Sequence, residues 1–96
     1  MAQAESIRRL ETEEVRVTEW RFQPGDTTGH HRHDYDYVVV PLTTGTLRAI
    51  AADSDVSRAL TPGGVYFRKA GVEHDVMNDG DTPFAFIEVE LKDRPG

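Results

Sequence analysis

Cysteine is absent from the 96 residues. Disulfides, thiolate metal ligands and a thiol nucleophile are therefore excluded, and any bound metal must use nitrogen and oxygen donors. Long apolar runs are missing as well. No stretch approaches the ~20 apolar residues of a membrane-spanning helix, and Met1-Ala2-Gln3-Ala4-Glu5 has no basic region leading into an apolar one; the chain is read as soluble and cytoplasmic. Basic charge is scarce, with 11 Lys and Arg against 17 Asp and Glu and a formal net charge of −6. Such a chain repels phosphate backbones and anionic lipid headgroups, so neither nucleic acid nor a membrane is expected as a partner. Finally, no segment carries a helical period.

What is present is a series of short β-type runs over residues 15–22, 35–42, 46–51, 56–60, 65–68, 74–77 and 84–91. Between them stand Pro24-Gly25-Asp26, Thr43-Thr44-Gly45, Asp53-Ser54-Asp55, Pro62-Gly63-Gly64 and Asn78-Asp79-Gly80-Asp81. In these turns Gly supplies positive φ, Pro fixes φ, and Asn or Asp bonds to its own backbone. Many short strands with regular turns predict an all-β sandwich or barrel, one domain over residues 15–96. Pro41 cannot donate to a ladder and should mark an edge or a bulge. Residues 1–14, with Glu11, Glu13 and Glu14 clustered, read as a loose arm or a strand that forms only against a partner. A chain this short buries only about 60–65% of its unfolded surface, so a homodimer is expected.

Three histidines carry the chemistry. On an unbroken strand His31 and His33 point the same way with Cα atoms about 6.8 Å apart, and one metal can take both, with His74 of Gly71-Val72-Glu73-His74 as a third ligand. His30 has the opposite parity and should face outward. One divalent ion is expected, with imidazole–metal distances of about 2.0–2.2 Å; Fe, Ni, Zn, Mn and Cu all accept imidazole.

These residues resemble the cupin superfamily. Its first motif reads Gly, five residues, His-x-His, three or four residues, Glu, six residues, Gly, and Gly25, His31, His33 and Gly45 stand at that spacing. Its second reads Gly, five residues, Pro-x-Gly, two residues, His, three residues, Asn, and Gly63, Gly71, His74 and Asn78 match. The resemblance implies an antiparallel jelly-roll barrel with the three histidines in its mouth. Two positions depart from the pattern. Lys69 replaces the motif Pro, a turn position. The motif Glu is missing: the two counts place Tyr37 or Val38 there, and a bulge would instead bring Asp36 inward as a carboxylate ligand. The stretches 30–42 and 66–74 are similar to small single-domain cupins associated with β-alanine breakdown, which implies a small amino or keto acid as ligand.

Other candidates follow from alternation. Tyr35 and Tyr37 share the histidine face, as barrel lining or, for Tyr37, as a hydrogen-bond donor to a metal-bound ligand. Either Tyr66 and Arg68 or Val65 and Phe67 face the cavity. Arg68 is read as a solvated surface residue, with an inward Arg68 recognising a substrate carboxylate as the alternative. Ile87, Val89 and Leu91 should fill a packed face, leaving Glu88 and Glu90 as a solvated one. Two functions of different class fit: an enzyme in which a three-His metal acts on a small carboxylic, amino or keto acid by dioxygenase or Lewis-acid chemistry, and a non-catalytic metal-dependent binding or accessory module. A purely structural barrel without metal is the third reading.

Overall fold

The computed structural model describes residues 2–92, and every regular element among them is a strand. In chain order these are β1 (Glu5–Glu11), β2 (Val15–Phe22), β3 (His31–Arg32), β4 (Asp36–Pro41), β5 (Gly45–Ala51), β6 (Ser54–Leu60), β7 (Tyr66–Arg68), β8 (Glu73–Asn78) and β9 (Phe84–Leu91). They form a five-stranded sheet of order β1-β2-β9-β4-β7 and a four-stranded sheet of order β3-β8-β5-β6, with every named pair antiparallel. This is the all-β architecture expected from the strand and turn pattern, and the antiparallel jelly roll that the resemblance implies. The two sheets face one another without closing into one continuous hydrogen-bonded barrel.

Period-2 alternation explains which side chains meet between the sheets. In β2 and β9 the pairs Trp20↔Phe86 and Phe22↔Phe84 face inward, and Phe22 stacks on Phe86 with ring centroids 5.7 Å apart. Tyr37 and Val39 from β4, Leu47 from β5, Leu60 from β6 and Val76 from β8 complete the core. Phe84 passes so close to the start of β5 that a Cβ on Gly45 would sit 2.5 Å from its ring, so only glycine fits there. One end of the molecule is therefore plugged by aromatic rings. The other half of the interior is where the histidines lie.

Three expectations change. The segment read as a loose arm or partner strand contributes β1, which pairs with β2 of the same chain from Glu5↔Arg21 to Glu11↔Arg16. The strand carrying the histidines is not unbroken: β3 ends at Arg32 and β4 begins at Asp36, so His33 and Tyr35 lie in the connection. The β5–β6 hairpin is tighter than the turn Asp53-Ser54-Asp55 suggests, since Ala51 pairs with Ser54. Pro41 ends β4, beyond Tyr37–Val39 where β7 pairs, so its missing N–H interrupts no ladder on that side.

Candidate metal centre

His31 and His74 face each other directly across β3 and β8. His33, off the strand, is held by two backbone bonds to the β7–β8 turn: its N–H donates to Val72 O at 2.9 Å, and its carbonyl accepts from Gly71 N at 2.8 Å. Gly71 adopts φ +99°, which an L side chain resists, and that conformation aims its N–H at His33. The His33 ring stacks on Tyr37 with centroids 3.9 Å apart. Chain segments distant in sequence thus fix all three rings.

The three Nε2 atoms converge, with 3.0 Å between His31 and His33 and 3.2 Å between His33 and His74. The Gly29 carbonyl, 2.9 Å from His31 Nδ1, can only accept, so that nitrogen carries the proton and His31 presents a lone pair at Nε2. Three nitrogens each about 2.0–2.1 Å from one ion would stand roughly 2.9–3.4 Å apart. The observed separations fall in that range, and the donor set fits a single divalent metal. Burial, followed by the neighbouring His31 and His74, pushes the His33 pKa down to about 3. Burial, followed by His31 and Arg68, pushes His74 down to about 4. Both rings are therefore neutral at pH 7, the form that binds metal. His30 is exposed, as its parity predicts, with Nε2 3.3 Å from Glu73.

The position of the missing motif carboxylate is occupied by Tyr37. Its side chain is buried and faces inward, while Val38 lies on the opposite face between Phe67 and Val89. The bulged Asp36 ligand is not found: its carboxylate accepts from Ala70 N at 2.8 Å and approaches Lys69 at 3.5 Å, and Asp36 is not in the histidine donor group. Burial, then Glu88 and Tyr66, raises the Tyr37 pKa, so its phenol remains a donor.

Glu88 and Glu90 are the clearest departure. They were expected on a solvated face, yet they share the inward face of β9 with Phe84 and Phe86, and Glu88 is 8% exposed. Glu88 Oε2 lies 3.9 Å from His33 Nε2, and Glu90 Oε1 lies 3.6 Å from Arg16. Burial, followed by Glu90, raises the Glu88 pKa to about 7. The parity of Phe84 and Phe86 was the available signal, because aromatic rings at i−4 and i−2 mark the inward side.

Arg68 also departs from its expected surface position. It is half-buried, with its guanidinium 4.5 Å from the Tyr66 ring centroid. With Tyr37, Tyr66 and His74 it lines a cavity of about 230 Å³. A second cavity, also about 230 Å³, lies on the side of His31, His33, Glu88 and Glu90, where β1 contributes Arg8. All three histidines border the narrow space of about 30 Å³ between them.

These shifts predict how the metal-free protein responds to pH. Between about pH 5 and 6 the unfolded chain carries most of a proton on each of His33 and His74 and little on Glu88, whereas the folded chain carries one on Glu88 alone. The unfolded state thus binds one proton more, and stability rises with pH by on the order of 1 kcal/mol per unit over that window. Thermal denaturation of the metal-free chain should show the melting temperature falling as pH drops from 6.5 to 4.5. A flat profile would contradict the buried neutral imidazoles.

Comparison with known proteins agrees with the geometry. A family profile described as a cupin domain matches residues 18–90. The beta-alanine degradation protein BauB of Pseudomonas aeruginosa is 53% identical over 83 residues, covering 86% of this chain and 87% of its own length. A solved cupin domain from Bordetella pertussis Tohama I superposes with a TM-score of 0.92 at 49% identity, over 96% of each chain. A double-stranded β-helix protein from Klebsiella pneumoniae shares the fold, with a TM-score of 0.78 at 24% identity over 98% of this chain and 81% of that one.

Proposed function

This chain belongs to the cupin family, and we propose that it holds one divalent metal on His31, His33 and His74 and there binds or transforms a small organic acid. The observation that carries the reading is the convergence of three Nε2 atoms at 3.0–3.2 Å on rings whose charged form is disfavoured. A bound ion, whether Fe, Ni, Zn, Mn or Cu, would supply Lewis-acid polarisation of a carboxylate or carbonyl or, as iron(II), chemistry with dioxygen. The likeness to a protein named for beta-alanine degradation supports a small amino-acid-derived acid as ligand and a role in small-molecule metabolism. The same reading places the chain in the cytoplasm. Metal analysis of untagged protein, followed by oxygen uptake of the iron(II) form with a panel of small acids, thiols and diketones, tests it. No metal would overturn the reading; metal without turnover of any acid would favour a binding module.

The enzyme reading gains from Glu88. It places a buried carboxylate 3.9 Å from His33 Nε2, with Glu90 in the same donor group. Tyr37 stacks on His33 and keeps its proton, so it is placed to donate to an anion held at the centre. Tyr37→Phe should weaken binding of a small carboxylate by about 1–2 kcal/mol, the scale of one hydrogen bond, while metal content stays unchanged. Calorimetric titration of the metal-loaded variant checks this, and unaltered affinity would remove Tyr37 from the site.

A homodimer belongs to the same proposal. Leu10, Val17, Val89, Val38 and Phe67 are register partners in one row across all five strands of the larger sheet, on its outer face. Leu10 is 51% exposed and Phe67 47%. A second copy meeting this face about a two-fold axis would cover the row. Light scattering at micromolar concentration should report a dimer and Val89→Lys a monomer; a monomeric unsubstituted chain would contradict the assignment.

A further inference from the structure

We infer that the cavity beside His74 is a binding chamber for short carboxylates whose other polar group is uncharged, an oxo or hydroxy acid, and that it excludes the amino acid of equal length. This deepens the metal reading by naming the class of acid. The argument begins with charge. The lining carries two guanidiniums, Arg58 and Arg68, and no aspartate or glutamate. Arg8, Arg9, Arg16, Arg21 and Arg48 each stand against a carboxylate. Arg58 and Arg68 instead converge on one ring, their Cζ atoms 5.6 and 4.5 Å from the Tyr66 centroid.

Arg68 spends one N–H on the Phe67 carbonyl at 3.1 Å, leaving the rest of a five-donor fork for a carboxylate. An ammonium in the same space would meet two guanidiniums, the half-buried Arg68 and the more exposed Arg58, and no carboxylate on the cavity wall. Apolar side chains, Leu47, Val56, Leu60 and Val76 among them, form much of the remaining wall. At about 230 Å³ the chamber is smaller than a drug-sized pocket, so the ligand is short. Its carboxylate lies toward the arginines and its uncharged end toward His74.

Among the described residues the carboxylates grouped with His33 are Glu88 and Glu90; both line the opposite cavity, where Arg8 and Arg16 also face in, and Glu88 borders the narrow space between the two as well. That cavity is the natural competitor for an amino acid. In a route that starts from an amino acid, the His74 chamber therefore acts after the amine has been removed, by transamination or oxidative deamination.

The test is calorimetric titration of the full chain, metal-free and loaded with zinc, with 3-hydroxypropanoate and 3-aminopropanoate. The hydroxy acid should bind at least tenfold tighter than the amino acid. Arg58→Met and Arg68→Met, which keep the apolar stem, should each weaken it several-fold at unchanged zinc stoichiometry. Equal or tighter binding of the amino acid, full affinity in the double arginine variant, or no binding of either acid to any form overturns the inference. Hydroxy-acid binding that is lost in Glu88→Gln and kept in the arginine variants does so too, by placing that ligand in the opposite cavity. If zinc fails to bind while arginine-dependent hydroxy-acid binding persists, the chamber stands and the metal reading falls.

Discussion

His33→Ala is expected to lower metal affinity by about 100-fold or more, so that the purified variant carries far less than one equivalent, because His33 is the hub of the donor set. Its Nε2 lies 3.0 Å from that of His31 and 3.2 Å from that of His74, and removing it leaves two imidazoles, with the Glu88 carboxylate 3.9 Å from the vacated nitrogen as the nearest oxygen donor. The free energy of binding a metal depends on the number of preorganised donors, and a two-imidazole remnant retains little of it. His30→Ala provides the contrast, since His30 is exposed and paired with Glu73; its metal content should match the unsubstituted protein. Elemental analysis and competition with a chromophoric chelator measure both. A full equivalent retained by His33→Ala would remove the three-histidine assignment, and metal loss in His30→Ala would move the site outward.

The effect on stability separates the two roles of His33. Its pKa lies far below the value it has in the unfolded chain, so the ring opposes folding in acid. The metal-free His33→Ala protein should accordingly show a shallower fall of melting temperature between pH 6.5 and 4.5 than the unsubstituted chain. Metal affinity and acid sensitivity then change together from one substitution, which a merely structural histidine would not produce in the same direction.

The parts of the fold visible in the sequence are those where alternation and core packing coincide. Strands β2, β4 and β9 carry aromatic and branched residues at the plugged end of the sandwich, and their limits were close to those observed. The histidines were visible because both motif spacings converge on one point. At the open end the same rule fails for a physical reason: inward positions there face cavities, so they are polar. Glu88 and Glu90 continue the face of Phe84 and Phe86 into that region, and their charge disguises an interior position as a surface one. Arg8 on β1 and Arg58 on β6 are hidden similarly, since both strands are sheet edges with exposed residues on each face. Tyr37 was placed inward by parity counted along an unbroken strand. The parity was right although the strand stops at Arg32, because the backbone bonds of His33 to Gly71 and Val72 restore the direction of the chain.

Asn78→Ala should cost about 3 kcal/mol of stability and lower the melting temperature by more than about 10 °C, at a position with no part in the metal site. The side chain is 1% exposed, polar and placed where three segments meet. Its Nδ2 donates to Thr82 O at 2.8 Å and, more weakly, to Phe22 O at 3.4 Å, while its Oδ1 accepts from Gly80 N at 3.0 Å. Alanine would remove all three bonds, leaving the buried Phe22 carbonyl and the part-buried Thr82 carbonyl and Gly80 N–H without the amide, and their desolvation together with the lost packing makes up the cost. Asn78→Asp should be worse still, because it replaces the two-donor amide with a charge directed at the carbonyls of Phe22 and Thr82. Both Asn78 and His74 lie on β8, four residues apart and therefore on the same inward face, yet Asn78 belongs to the plugged end and His74 to the open one. Below its melting temperature the alanine variant should therefore still bind one equivalent of metal. Thermal denaturation and metal titration of the same preparation distinguish the cases: a drop of less than about 3 °C would mean that water replaces the amide's bonds, and loss of metal from the folded variant would show that the two ends of the sandwich are not independent.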